Sequence, residues 1–240
     1  MICFSIGFTQ EISEMYTQAK IHENAFKDAD ALMVYETILK RDSTEVSAFI
    51  GAAKMLCQVG HTSDDETIKQ KNFKRAIEYG KKAIALEPKN DQAYLMVSRA
   101  TGRLAEISGS KTKLRLSVDV KSYAEKAVEY NPNNDIAHHV IGKWNYKISD
   151  LGWAEKMVAN TVLGGVPEGA SFENAKASFE KAVSIKPESI SHNLELARTL
   201  IALDEEVRAK EILKRVLQLK VVQSIDTKYK EEAKELLDDL

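Results

Sequence analysis

Four basic residues follow four predicted helix ends, each at the same spacing along the sequence. The predicted helix ends are Ser43, Pro88, Pro132 and Pro187, and the residues eleven positions later are Lys54, Arg99, Lys143 and Arg198. A cation holds a carboxylate by a charge-assisted hydrogen bond, and the walls of a groove reduce the screening of that charge by water. Four cations along one groove therefore predict a binding site for an acidic, extended peptide.

The same four residues have a simpler interpretation. Lysine and arginine are common on helix surfaces, so the cations also fit a solvated face or a set of ion pairs with neighbouring acids. His139 precedes Lys143 by one helical turn and is predicted on the same surface, as a ligand contact or as an ordinary surface histidine. The sequence leaves both interpretations open.

Three aromatic side chains lie close to the third cation. Trp144, Tyr146 and Trp153 are predicted to be core and loop-anchoring groups, because large aromatic rings bury much apolar area. The alternative is a rim on which an aliphatic or proline side chain of a ligand packs.

A second group of basic residues is predicted on the outer surface of the fold. Its members are Lys69, Lys71, Lys74, Arg75, Lys81 and Lys82, with Lys111, Lys113 and Arg115 on a nearby edge. Such a group attracts acidic protein tails or membrane phosphates, but a run of charges is more often a solubilising face. These residues make an acidic partner plausible without identifying it.

Catalytic and metal-binding patterns are absent from the sequence. The glycine-rich segment 164–169 lacks the lysine and hydroxyl that hold a bound phosphate, so it is interpreted as a turn. His138 and His139 are adjacent, and adjacent helical residues point about 100° apart, which argues against a shared metal. The sequence predicts a protein that is not an enzyme and needs no cofactor.

Net charge and cysteine content exclude further classes of protein. A net charge of −2 and a pI near 6.3 give no general attraction to nucleic acid. Cys3 and Cys57 are too few for a disulfide framework. Residues 1–10 are apolar and are interpreted as a tail or the remnant of a signal peptide, and no later run is apolar enough to cross a membrane. The expected location is cytoplasmic, or exported if residues 1–10 come from a signal peptide.

Helix pairs are predicted to position these residues. Pro88, Pro132 and Pro187 each follow an apolar helix that carries an alanine five residues earlier, and Ile38 stands at this position before Ser43. The helix ends are 45, 44 and 55 residues apart, whereas a standard tetratricopeptide unit has about 34. The additional residues are placed between the two helices of each pair, at 60–65, 108–113 and 150–170.

This periodicity predicts an all-α fold, a tetratricopeptide-like solenoid of helix pairs with long insertions within repeats. Residues 11–240 are predicted to form a single domain that ends in a capping helix, and the first helix of each pair is expected to line the concave face. The predicted helices are 11–24, 28–41, 45–59, 66–86, 91–107, 115–130, 135–149, 152–162, 171–185, 190–203, 205–219 and 226–239.

A known family shares a pattern of residues in the third repeat. The matching residues are His138, Gly142, Lys143, Trp144, Tyr146, Trp153, Lys156, Leu163, Gly164, Pro167, Ser171, Phe172, Glu173 and Ala175. This pattern resembles the regulator of microtubule dynamics protein family, most strongly over 131–187 and in layout over 28–220. The family usually has arginine at the position of Lys143 and cysteine at that of Asn145. The resemblance implies an all-helical adaptor that, in eukaryotic members, associates with microtubules.

The leading functional prediction is a protein-binding adaptor whose concave basic groove holds an acidic segment, with tubulin or microtubules implied by the resemblance. One alternative is a structural or assembly module that docks through its edge loops. Another is a binder of a small ligand under the insertion at 150–170. No contact with nucleic acid and no integral membrane segment are expected.

Overall fold

The computed structural model describes the backbone of residues 2–223 and 225–240 and the side chains of residues 10–223 and 225–240. Within these residues the chain forms twelve α-helices and no strand, which confirms the all-α prediction. The helices are α1 Ile2–Asn24, α2 Asp28–Arg41, α3 Val46–Thr62, α4 Glu66–Leu86, α5 Asp91–Glu106, α6 Ser110–Tyr130, α7 Asp135–Ser149, α8 Trp153–Leu163, α9 Phe172–Ile185, α10 Ile190–Ala202, α11 Glu206–Gln218 and α12 Ile225–Asp238.

The chain divides into two compact units, Met1–Tyr130 and Asn131–Leu240, called unit 1 and unit 2. In unit 1, α1 packs on α2, α3 on α4, α5 on α6, and α3 also contacts α5. In unit 2, α7 packs on α9 and α10 on α11, while α10 also contacts α7 and α12. The first helices of the pairs are therefore α1, α3 and α5 in unit 1, and α7 and α10 in unit 2. The prediction of a single domain stays a prediction.

Polar side chains define where the first helices begin. Asn90 accepts a hydrogen bond from the backbone N–H of Ala93 at 3.1 Å, and Asn134 does the same for Ala137 at 3.0 Å. Such bonds satisfy N–H groups that have no partner in the first turn of a helix. The cap of α7 is therefore Asn134 and not the neighbouring Asp135. Asp135 is the first helical residue, and its carboxylate has another partner, described below.

Small residues allow the helices of each pair to approach closely. Ala83, Ala127, Ala182 and Ile38, the residues that recur before the predicted helix ends, are all fully buried. Gly142 faces the ring of Phe179, and a Cβ atom at this glycine would lie 2.7 Å from the ring atom Cε1. Gly142 therefore leaves room for α9 to pack closely on α7.

The additional residues of the repeats lie mostly in helices rather than in edge loops. Helix α3 continues to Thr62 and α6 begins at Ser110, so at least half of each predicted loop, at 60–65 and at 108–113, is helical. Helices α4 and α6 have 21 residues each. The third insertion contains α8, in which Ala159 is the buried residue. Within the described residues, only this insertion adds a separate helix between the two helices of a pair.

The two ends of the chain differ in how well they were predicted. Helix α1 begins at Ile2, so the predicted start at residue 11 was too late. The side chains of residues 1–9 are outside the described part of the structure. The predicted tail or signal remnant at residues 1–10 therefore stays a prediction. Helix α12 packs on α10 and α11 through the apolar face that the sequence predicts. Its contacting residues are Tyr229, Ala233, Leu236, Leu237 and Leu240.

Candidate protein-binding site

The four predicted groove cations all lie on first helices. Lys54 is on α3 and Arg99 on α5 in unit 1, while Lys143 is on α7 and Arg198 on α10 in unit 2. Each unit therefore carries two of the four cations.

In unit 1, Lys54 is engaged by a nearly buried carboxylate of α1. Its Nζ lies 2.9 Å from Oε2 of Glu23, a side chain that is 8% exposed. The same carboxylate accepts hydrogen bonds from Lys20 Nζ at 3.0 Å and from the Tyr35 hydroxyl at 2.7 Å. Burial works to raise the pKa of Glu23, but these three donors outweigh it and hold the pKa below its ordinary value. Glu23 is therefore a charged centre that joins α1, α2 and α3.

In unit 2, both cations are engaged by acids of the same unit. Glu195 Oε1, on a side chain that is 14% exposed, lies 3.6 Å from Lys143 Nζ and 3.3 Å from Arg198 Nη1. The other terminal nitrogen of Arg198 lies 2.6 Å from Oε2 of Glu232 on α12. For Lys54, Lys143 and Arg198, the described contacts are those of the simpler interpretation, ion pairs with neighbouring acids.

Arg99 has a different environment. Its side chain is exposed, and no carboxylate among the described residues lies within ion-pair distance of it. The surrounding protein removes part of the hydration of the guanidinium, which lowers the pKa of Arg99, and the charge of Arg103 lowers it further. Of the four predicted cations, Arg99 is the one that the described part of the chain leaves without a counter-charge.

Neighbouring groups extend this positive region across α3 and α5. Arg103 lies one turn after Arg99 and contacts Glu106 at 3.1 Å in an exposed pair. The charge of Arg103 is the main cause of a lowered pKa of His61 on α3. Beneath them, burial raises the pKa of the Cys57 thiol to about 11, against the opposing charges of both arginines. We call His61, Arg99 and Arg103 the α3–α5 cation cluster.

In unit 2, helix packing brings together His139 and His192, which are 53 residues apart in the sequence. His192 Nε2 lies 2.9 Å from Asp135 Oδ2, and His192 Nδ1 lies 3.0 Å from Nδ1 of His139. If Nε2 of neutral His192 donates to the carboxylate, its Nδ1 must accept, so the Nδ1 proton belongs to His139. The spacing of Asp135 and His139, one turn apart on α7, was the available signal, but the position of His192 depends on helix packing.

Burial gives this network a pH dependence. Desolvation lowers the pKa of His192 below its ordinary value, although Asp135 opposes the shift. Below pH about 6.5 the unfolded chain then binds more protons than the folded chain, so stability falls as the pH falls. We expect the free energy of unfolding, measured by urea titration, to decrease from pH about 7.5 to about 5.5, and a His192→Asn variant to lose part of that slope.

His138 provides the matched control for this measurement. It lies next to His139, but its ring contacts the backbone carbonyl of Pro132 at 2.9 Å and not a titrating group. A His138→Asn variant is expected to keep the wild-type slope. Equal slopes for the wild-type protein and the His192→Asn variant would contradict the assignment.

The aromatic residues are placed in three different ways. Trp144 is 5% exposed, so the prediction of a core position is confirmed. Tyr146 is half-buried, with its ring centroid 5.2 Å from that of Phe172. Trp153 is 79% exposed, so the prediction that it anchors the insertion or lies in the core was wrong. Because this ring points into solvent, it does not close a pocket under 150–170.

The outer basic residues of α4 are only partly engaged. Arg75 pairs with Glu36, and Nζ of Lys82 lies 5.7 Å from the ring centroid of Tyr79.

Among the residues that the structure describes, no group of three or more His, Cys, Asp or Glu is arranged to hold a metal ion. In the same residues, no helix combines the length and apolar character needed to span a membrane.

The chain is similar to a set of named proteins. Residues 8–240 match a family model described as regulator of microtubule dynamics protein 1-3. The chain is 31% identical over 156 residues to Regulator of microtubule dynamics protein 3 of Bos taurus, over 64% of this chain and 33% of the relative. It is 26% identical over 188 residues to protein 1 of the same species, over 77% of this chain and 57% of the relative. The chain thus spans less than two thirds of either relative.

Solved structures give the fold. A thermophilic tetratricopeptide protein from Thermus thermophilus superposes with a TM-score of 0.67 at 16% identity, covering 94% of this chain and 98% of that chain. PilW, a type IV pilus biogenesis factor, superposes with a TM-score of 0.59 at 17% identity, covering 96% of this chain and 87% of that one. The prediction of a tetratricopeptide-like helical repeat is confirmed.

Proposed function

Because the chain belongs to the regulator of microtubule dynamics protein family, we propose that it is a non-enzymatic adaptor that binds an acidic, extended segment of a protein partner. The binding surface is the groove lined by the first helices of unit 1, with Arg99 at its centre. The observation that carries this proposal is that Arg99, an exposed residue, has no carboxylate within ion-pair distance among the described residues.

The contrast with the other three cations supports this choice. Lys54, Lys143 and Arg198 already have carboxylate partners at 2.6–3.6 Å, so an incoming acid would have to displace them. An arginine without a partner offers its donors to a ligand with no such competition, and a partly desolvated surface strengthens the charge-assisted bond. The peptide contacts that the sequence predicts in unit 2, including His139 and Tyr146, are secondary in this proposal.

The names of the relatives indicate the class of partner. Two relatives are named regulators of microtubule dynamics, and tubulin or microtubules are therefore the proposed partner of this chain. A location in the cytoplasm, associated with the cytoskeleton, follows from that partner. Because the chain spans only part of these relatives, this assignment concerns the repeat region.

A direct binding measurement tests the proposal. We expect wild-type protein to co-sediment with polymerised tubulin at low salt and to lose binding as salt rises, because screening weakens contacts between exposed charges. The Arg99→Glu variant is expected to bind at least about tenfold more weakly, since the substitution replaces an attraction by a repulsion; tenfold corresponds to about 1.4 kcal/mol.

The control for this variant is Lys27→Glu. Lys27 is exposed in the turn between α1 and α2 of the same unit and belongs to neither group of basic residues, so the control changes the net charge equally. Loss of binding by Arg99→Glu alone supports the groove. An equal loss in both variants indicates a nonspecific charge effect, and no loss in either refutes the proposal.

One observation favours a second function, docking through the insertion at 150–170. Trp153 is 79% exposed and Met157, one turn later on α8, is 50% exposed. Two large apolar side chains on one exposed helix face resemble the anchors of protein interfaces. If a partner remains bound to Arg99→Glu but is lost with Trp153→Ala, α8 rather than the groove carries the interaction.

A further inference from the structure

The α3–α5 cation cluster contains more positive charge than a carboxylate ligand requires. Arg99 and Arg103 are four residues apart on α5, so they lie on one face, about 6 Å apart along the helix axis. Like charges at this spacing destabilise a helix. The described acid that contacts either arginine is Glu106, which pairs with Arg103 in an exposed contact. Two arginines and one acid leave one positive charge on this face of α5 without a counter-charge among the described residues.

The groups that surround His61 on neighbouring helices increase this positive potential. Arg103 of α5 and Lys69 of α4 lower the pKa of His61, and Glu106 alone opposes them. Arg99 and Arg103 both act electrostatically on Cys57, which lies one turn before His61 on α3. The two arginines and the histidine are therefore close enough to interact electrostatically, and the Cys57 thiol near them is buried.

We propose that this surface binds a phosphorylated side chain in the acidic segment of the partner, with Arg99 and Arg103 holding the phosphate and His61 completing the site. The proposal rests on the adaptor function and identifies the chemistry of its ligand. A phosphate monoester carries a charge of about −1.5 to −2 and three acceptor oxygens, whereas a carboxylate carries one charge and two oxygens. Two planar guanidinium groups match the phosphate in charge and in the number of donors, and Arg103 exchanges its exposed contact with Glu106 for the phosphate.

Protonation of His61 provides an independent signature. In the free protein, nearby positive charges disfavour a protonated imidazole. A bound dianion reverses the sign of the local charge, so the pKa of His61 is expected to rise when the phosphate binds. NMR titration of the imidazole, with inorganic phosphate as the first probe, measures this change. A merely structural role of the arginines would leave the pKa unchanged.

The decisive experiment compares three forms of one fluorescent glutamate- and glycine-rich peptide, with phosphoserine, serine or glutamate at its centre. We expect the phosphoserine peptide to bind about tenfold more tightly than the glutamate peptide. Arg99→Gln and Arg103→Gln are each expected to remove this preference, while Lys27→Gln keeps it. Circular dichroism confirms that each variant is folded.

The outcomes separate this proposal from the adaptor function. Equal affinity for the phosphoserine and glutamate peptides overturns the phosphate site and leaves the acidic-peptide adaptor intact. Failure of every peptide and of tubulin to bind in an Arg99-dependent way overturns both. Arg99-dependent binding to phosphatidylcholine vesicles that contain phosphatidic acid, without binding of the phosphopeptide, overturns the assignment to a protein ligand.

Discussion

Replacing Phe179 by alanine is expected to lower the free energy of unfolding by about 3–5 kcal/mol, the usual range for a buried phenylalanine. The ring is fully buried in unit 2, at the contact between α7 and α9. It fills the space above Gly142 and lies with its centroid 5.5 Å from that of His139. Removal leaves a cavity that glycine cannot fill, and urea denaturation measures the loss.

Phe26→Ala provides the control for this substitution. Phe26 is 80% exposed in the turn between α1 and α2, so the same chemical change there is expected to alter stability by less than about 0.5 kcal/mol. Since His139 packs against Phe179, the Phe179→Ala variant is also expected to change the NMR signals of His139. A loss below about 1 kcal/mol would mean that unit 2 does not depend on this contact.

The positions of most helices follow from local chemistry and were predictable. Proline cannot continue a helix, and asparagine or serine before an apolar run begins the next one. Helix α4 accordingly ends at Leu86, two residues before Pro88, and α7 begins directly after Asn134. Helices α2, α4 and α7 match their predicted bounds. The packing roles of Ala83 and Gly142 were also predictable. A residue without a large side chain on an apolar helix face indicates a close contact with another helix.

The charge environment of the predicted site could not be read from the sequence. Lys54 and its partner Glu23 are 31 residues apart, and Lys143 and Glu195 are 52 apart, so only the packing of helices brings them together. The spacing that identified four equivalent cations contains no information about those acids. The structure distinguishes Arg99 from the other three, and the predicted four-cation column becomes a proposal centred on one residue.

Side-chain exposure on an inserted segment was equally hard to predict. Trp153 was assigned to the interior because tryptophan buries much apolar area in most contexts. Helix α8 has a single buried residue, Ala159, so no surface is available to cover the ring. Composition predicts burial only where a second element packs against the first, and sequence periodicity identified α8 without indicating whether it had such a partner.

Substitution of Glu23 by alanine is expected to lower the free energy of unfolding by about 2–3 kcal/mol. The substitution leaves the buried Tyr35 hydroxyl without its acceptor and removes the ion pairs to Lys54 and Lys20. Loss of the acceptor of a buried donor costs about 1–3 kcal/mol, and bonds to charged groups are the stronger ones. Urea denaturation at neutral pH measures the change, with Glu14→Ala, an exposed glutamate of the same helix, as the control.

The pH dependence of stability distinguishes a charged Glu23 from a merely space-filling one. Because the folded state holds the pKa of Glu23 below its ordinary value, the carboxylate stabilises the fold above pH about 4.5, and this contribution is lost as the pH falls through the lowered pKa. A Glu23→Gln variant keeps the shape of the side chain but is expected to lose this part of the acid sensitivity.

Combining Glu23→Ala with Tyr35→Phe should destabilise the protein by less than the sum of the single changes, since both remove the same hydrogen bond. Strict additivity would show that the hydrogen bond between Tyr35 and Glu23 contributes nothing to the packing of α2 on α1.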